Sequence, residues 1–529
     1  MRSIVIGLAL CAAACVPVLA SDWTNAGGGP GRNGQSDEVG PVAPTQIWSG
    51  GRSSIIAWQP VTAGRRVFMV RQLGFVPSGV PNEAPLVAQD LDTGAELWVT
   101  NLPYNAGDWT TWVAGCSNGL VYASRAGNGG SIAAALYAFD QDSGNPVWVS
   151  QETIKTGAYD GVVFADDGDP IVAWHQAIRR IDADTGLTVW TAPRVGSVSG
   201  NCGVAIHGDA VYSCEVVPGG HAIKRFDLAT GAAQYVGPTM PGFTVQNVPM
   251  VGPDGTIYLS RTQNNVAVDF FYAFNDDGSA ITQKWSVPAA WSTSSEFAVG
   301  PDGSVYMLAP GNVLARLDPA TGATLNTSTV LATGSITPRL AVDWEGKVYA
   351  SNGGFSNGKV FAFNPDLTLR WSLNVTNVNI GAPVLGEGGT LVIAGTGTNV
   401  RAYRSPSVWT PTDGALAGAS GEPVLEGKGS ATVGYPVALR GSNGMPFMPA
   451  WLFLGTSRID APLFGGTLVP TPTVVIGPFS LDANGGFEFG APWPAGVPSG
   501  VGLWMQAWSV DAGGPQGFAA TNGLKLTTP

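Results

Sequence analysis

The chain has 529 residues, 44% of them apolar and only 12% charged, with 73 glycines, 39 prolines and 18 tryptophans. So much glycine with so little Lys and Glu disfavours long surface helices and favours short strands joined by turns. That much tryptophan has to be buried, which argues against disorder, and a net charge of −12 argues against a nucleic-acid binder, which needs a basic face for phosphates.

Met1-Arg2 is a short cationic start to an apolar stretch, Ser3 to Leu19, and Val18-Leu19-Ala20 fits the small-residue rule ahead of Ser21-Asp22. This pattern predicts a secretory signal over 1–20, cleaved after Ala20. Cys15, behind Ala12-Ala13-Ala14, offers a lipoprotein-like alternative, weakened by Ala12 where such signals carry Leu. No later run offers about 18 uninterrupted apolar residues, so the mature chain is expected to be exported without spanning a membrane. Its place is then periplasmic, outer-membrane-associated or extracellular. Cys202 and Cys214 flank a hairpin turn expected at His207-Gly208-Asp209. Their positions sum to 416, twice 208, so the two could pair in a disulfide unless the register slips by one. Cys116 reads as a buried thiol and not a nucleophile.

After an N-terminal extension over 21–44, a repeat dominates. Leu86 to Trp98 carries Asp90, Gly94 and Trp98; the next copy carries Asp140, Gly144 and Trp148; the third Asp182, Gly186 and Trp190; the fourth Asp227 and Gly231, ending at Tyr235. Looser copies hold Asn275 and Trp285, then Asp318 and Gly322 to Asn326, then Asn364 and Trp371. The marker residues are spaced 50, 42, 45, 48, 43 and 46, the length of one four-stranded propeller blade. Each copy reads as strand, turn, strand: Asp or Asn accepts turn amides, Gly supplies positive φ, and Trp fills the wedge between sheets. Upstream turns of the type Asp302-Gly-Ser-Val-Tyr306 mark a further strand in each, eight in all. Val400-Arg-Ala-Tyr403 lacks its Thr-Gly and Trp, and Gln46-Ile47-Trp48 supplies the missing strand. The predicted fold is all-β: an eight-bladed β-propeller over 45–405, its last blade completed by the N-terminal strand.

The Ala-x-Asp-x-x-Thr-Gly-x-x-x-Trp signature resembles the repeat of the PQQ-like (quinoprotein-type) β-propellers. Asp22-Trp23 with Gly28-Gly29-Pro30-Gly31-Arg32-Asn33-Gly34 resembles the opening of their secreted members. In the dehydrogenases of this group the resemblance implies PQQ on the axis, Ca²⁺ beside it, an Asp base and often a disulfide between adjacent cysteines. The mature cysteines are not adjacent, and no stretch matches the calcium and base segments. The resemblance therefore implies the non-catalytic, BamB-like branch: an exported monomeric scaffold without cofactor, holding a protein partner or ligand. A PQQ- and Ca²⁺-dependent dehydrogenase of alcohols or sugars is the second reading.

Residues 406–421, rich in Pro, Thr, Ser, Gly and Ala, read as a linker. Over 422–529, short apolar runs such as Ala431 to Tyr435, Ala450 to Leu454 and Leu503 to Trp508 predict a small β-sandwich-like domain. The remaining chemistry is sparse. Asp-x-Asp-x-Gly at 90–94, 140–144 and 182–186 lacks the later acidic ligand of an EF-hand and reads as turn capping. His175, His207 and His221 have no metal-ligand spacing, and Asp166-Asp167 and Asp276-Asp277 read as loop tips. No Gly-x-Ser-x-Gly, Walker loop or His-Glu-x-x-His occurs.

Overall fold

The computed structural model describes residues 22–55, 58–73, 84–103, 108–126, 132–155, 161–196, 202–241, 248–261, 269–290, 297–331, 339–353, 357–378 and 381–529. The signal-like segment 1–20, with Cys15, lies outside the described residues. Within them there are strands, turns and a three-residue 3₁₀ turn at Pro515–Gly517, and no helix long and apolar enough to cross a membrane. The chain divides into two compact units between Ser405 and Pro406.

The described residues of the first unit hold eight antiparallel sheets, seven of four strands and one of five. The first is Val61–Ala63, Arg66–Val70, Pro85–Asp90 and Glu96–Asn101, and six more follow in chain order. The last is composite: Pro383–Gly386, Thr390–Ala394 and Val400–Tyr403 take Gln46–Ser49 as their fourth strand, with Trp48 opposite Ala402. The fourth sheet carries an extra short strand, Met240–Pro241.

Burial explains which strand faces where. First strands such as Val162–Phe164 and Phe297–Val299 are buried throughout, whereas fourth strands expose Leu97, Val147, Val149 and Val189. The first strand therefore lies inward and the fourth forms the rim. Each hydrophobic cluster joins two consecutive sheets: Leu86 with Val121, Trp148 with Val172, Ile178 with Val211, Tyr212 with Ile257, Tyr258 with Val305, Tyr306 with Val348, Val360 with Leu391. An eighth, with Trp48, Val67, Val392 and Val400, joins the last sheet to the first. The order of packing is cyclic, so each of these sheets has a neighbour on both sides.

In the second unit, Trp409–Thr412, Gly523–Thr527, Gly502–Val510, Pro449–Gly455 and Val474–Ser480 lie side by side in that order, and Val424–Lys428, Pro436–Ser442 and Phe487–Pro492 form another sheet. Leu425 and Val437 from one sheet pack with Leu452, Met505 and Leu524 from the other. Residues 406–421 are not the free linker their composition predicts. Trp409–Thr412 pairs with Gly523–Leu526, and the Trp409 indole donates to the Gly429 carbonyl at 2.8 Å; a half-buried aromatic anchor outweighs flexible neighbours. Ala431 to Tyr435, expected as a strand, is instead a turn with positive φ at Ala431 and Gly434.

Candidate functional site

The repeat residues form one recurrent joint, not a single pocket. Asp90 accepts the amides of Asp92 and Thr93 at 3.1 and 2.8 Å and the Thr93 hydroxyl at 2.8 Å. Asp140, Asp182, Asp227 and Asp318 do the same with Ser143, Thr185, Thr230 and Thr321. Those hydroxyl and amide donors hold these four carboxyls below the usual range. Gly94, Gly144, Gly186, Gly231 and Gly322 sit at φ of 70–72°.

The tryptophan of each joint serves the next sheet. Trp48 donates its indole N–H to the Leu91 carbonyl at 2.9 Å, Trp98 to Gln141 at 3.0 Å, Trp148 to Ala183 at 2.7 Å, Trp190 to Leu228 at 3.1 Å and Trp285 to Pro319 at 3.0 Å. The ring lies on the glycine of that turn: a Cβ on Gly144 would stand 2.4 Å from Trp98, and one on Gly231 2.5 Å from Trp190. The looser copies substitute other chemistry. Asn364 bonds Thr368 at 2.8 Å while Leu367 takes the positive φ, and Trp371 packs on Tyr349. Asn275 lies one residue before the end of its strand, and the turn beyond is capped through Asp277.

One joint departs from what its sequence predicts. Asp276 is no loop tip: its carboxylate, 5% exposed, pairs with Arg225 at 3.1 Å and accepts the hydroxyls of Tyr212 at 2.7 Å and Tyr235 at 2.6 Å. Where Tyr235 replaces Trp, the next turn thus supplies a carboxylate. The signal was there in the paired departure of both residues from the repeat.

The Cys202–Cys214 disulfide is not formed. Ala205 pairs with Tyr212 and His207 with Ala210, and continuing this register sets Gly203, not Cys202, across from Cys214. The two backbone carbonyls instead accept from the Arg194 guanidinium. Cys116 is buried, which pushes its thiol well above the ordinary range. His221 is buried, while His207 is exposed at its turn.

The inner strands meet at a feature whose geometry only the structure displays. Residues 22–40 run past the first strands of the sheets in order. Thr62 of the first sheet donates its amide to the Trp23 carbonyl at 3.0 Å, and Cys116 of the second donates to Thr24 at 2.8 Å. Ala26 and Arg32 lie against Gly161, which precedes the third sheet. Ile206, Val251, Val299 and Val342 of the next four sheets donate to Pro30, Gly31, Asn33 and Gly34 at 2.9, 2.7, 2.8 and 2.7 Å. Glu38 then accepts from Gly389, on the eighth, at 2.9 Å. Side chains anchor this strap: Trp23, Asn25 and Arg32 are buried, and Arg32 donates to Val204 at 2.7 Å and Ala26 at 3.0 Å. Its far end is held by Asp343, fully buried, which accepts the amides of Gly40, Glu345 and Lys347 at 3.0, 2.9 and 2.9 Å. Burial pushes the Asp343 carboxyl up to about 6.

Other ionisable groups are buried as well. Arg71 donates to the carbonyls of Arg52, Gly395 and Gly397 across the seam of the eighth and first sheets, and burial alone lowers it to about 10. Glu215 pairs with Arg194 at 2.9 Å and accepts from Ser213 and the Val195 amide, both at 2.6 Å. Asp108 holds Arg125 at 3.0 Å, and Glu345 is paired with Lys347. A calcium ion beside PQQ would need several oxygen ligands free to turn toward it. The buried carboxylates Asp108, Glu215, Asp276, Asp343 and Glu345 are engaged with the chain's own donors, and among the described residues no three His, Cys, Asp or Glu side chains come together as a metal-binding group.

A sequence model of the family described as "Outer membrane protein assembly factor BamB" matches residues 82–235. Among solved structures, BamB from Moraxella catarrhalis is similar at 16% identity and a TM-score of 0.48, over 69% of this chain and 98% of that one. Quinohemoprotein alcohol dehydrogenase from Comamonas testosteroni is similar at 12% identity and a TM-score of 0.51, over 76% and 83%. The latter likeness is one of fold. No curated protein matches the chain.

Proposed function

We propose that this PQQ-like β-propeller repeat protein is an exported, non-catalytic scaffold of the bacterial envelope, built on an eight-bladed propeller and carrying a C-terminal β-sandwich. The reading takes 1–20 as a signal peptide and the mature chain as a monomer that holds a protein partner or ligand without a cofactor. The observation that carries it is the family match over 82–235, which falls on the most regular repeats. The strap supports it: the inner strands direct backbone donors at the chain's own residues 23–34, where a cofactor enzyme needs its axis for the cofactor.

The test is a titration of the purified mature chain with PQQ, with and without Ca²⁺, followed by tryptophan quenching. The scaffold reading expects no saturable quenching at high micromolar PQQ, and site-specific photo-crosslinkers on the propeller to trap an envelope protein in cells. Saturable, calcium-dependent quenching, followed by dye-linked oxidation of alcohols or sugars, would overturn it.

A further inference from the structure

We infer that the inner strands form a peptide-binding groove kept filled in cis by the chain's own segment Asp22–Gly40. An inner strand has a partner on one side only, so its axial edge presents unpaired backbone groups that must find donors or acceptors. Six equivalent amides, those of Thr62, Cys116, Ile206, Val251, Val299 and Val342, find strap carbonyls. Recognition through main-chain groups on a sheet edge is how extended peptides dock on β-proteins. The ligand class is correspondingly narrow: an extended, glycine-rich segment with an aromatic residue at its start.

Two glycines explain that narrowness. A Cβ on Gly31 would stand 2.7 Å from the Val251 carbonyl oxygen, and one on Gly34, which has φ +67°, 2.8 Å from the Ala298 Cβ. Neither neighbour is a flexible side-chain end, so any larger residue displaces the strap from the groove. Trp23 is the anchor, 1% exposed and packed with Ala341, Tyr349 and Leu385. The connection beyond the strap is different: Val42 is 44% exposed, so a cut there would free the segment from the chain without entering the groove.

The experiment places a protease site at Val42-Ala43 in the mature full-length protein, cuts it, and strips the freed segment in mild denaturant. A labelled peptide of residues 22–41 is expected to rebind at one per chain and to raise Tm. A peptide carrying Gly31→Val and Gly34→Val should bind at least about tenfold more weakly, the equivalent of one backbone hydrogen bond. Equal binding of the two peptides, or no binding to a stripped chain that keeps its strand signal in circular dichroism, would overturn the inference. If the stripped chain loses that signal, the uncut protein decides by hydrogen exchange. The six amides should be protected in the parent and lose protection in the Gly31→Val/Gly34→Val variant while strands elsewhere stay protected. Unchanged protection would overturn it equally.

Discussion

At the scale of single residues, the stability of the first unit rests on a contact between neighbours in space that are about 40 residues apart in sequence. Trp148 fills its wedge, 9% exposed, and its indole N–H reaches the Ala183 carbonyl at 2.7 Å. Trp148→Ala is expected to cost about 3–5 kcal/mol, the range for a large core aromatic. Trp148→Phe should cost less, because the ring stays on Gly186 and chiefly the hydrogen bond of about 1 kcal/mol is lost. Urea denaturation followed by fluorescence ranks the two. Two sets of carboxyls give opposite pH dependences. The caps Asp140, Asp182, Asp227 and Asp318 are depressed, so their contribution is present at neutral pH and is lost as pH falls through their folded values, below about 4. Asp343 is raised to about 6, so it binds a proton more tightly folded than unfolded; stability rises from this group as pH falls from 7 toward 5. Denaturation midpoints between pH 7 and 5 should show that rise in the parent and lack it in Asp343→Asn.

At the scale of elements, the seam between the eighth and first sheets is where the ring either closes or fails. Beside the cluster around Trp48 and Val400, the following contacts help hold it. Gln46–Ser49 completes the eighth sheet, Arg404 and Arg65 share Asp92, and Arg71 ties three carbonyls from facing loops. Arg71→Met keeps most of the volume but removes the Arg71 donor from the buried Gly395 carbonyl, at about 1–3 kcal/mol if it is left unsatisfied, whereas the exposed Gly397 carbonyl keeps the Ser54 amide. We expect a Tm loss of several degrees from Arg71→Met and a small one from Arg401→Met, whose side chain reaches an exposed carbonyl at 3.3 Å. Differential scanning calorimetry of the two variants checks this. Equal losses would mean that Arg71 is no special fastener. Much of this level was legible from the sequence, because Trp48 stands in the position that the repeat after Tyr403 lacks. The disulfide was not, since a hairpin's register is set by pairing along both strands, and one residue of slip takes Cys202 out of line with Cys214.

At the scale of the whole molecule, the second unit has a core of its own: Leu452, Met505, Leu524 and the residues clustered with them all lie beyond 406. Residues 406–529 expressed alone are therefore expected to unfold in one cooperative transition with near-UV signals from Trp409 and Trp508. A shorter fragment beginning at 422 should be less stable, because it loses Trp409–Thr412 and the Leu416–Ala520 bridge. Thermal melts of the two fragments decide it, and equal Tm values would return 406–421 to the status of a linker.

The repeating unit, its four-stranded length, the capping chemistry of Asp, Thr and Gly, and the strand that completes the last sheet are all written in the chain itself. Each is a local pattern or a copy of one, and self-similarity makes such patterns readable without a structure. What the glycines at 31 and 34 are for, and which carbonyls Arg71 and Arg194 hold, emerge only in the folded molecule. The arginine contacts join segments of different repeats, and the two glycines lie where inner strands from different repeats converge on one axis. A segment of 19 residues runs past all eight sheets there and takes the amides of six inner strands, because each inner strand has one edge that no strand of its own sheet can satisfy.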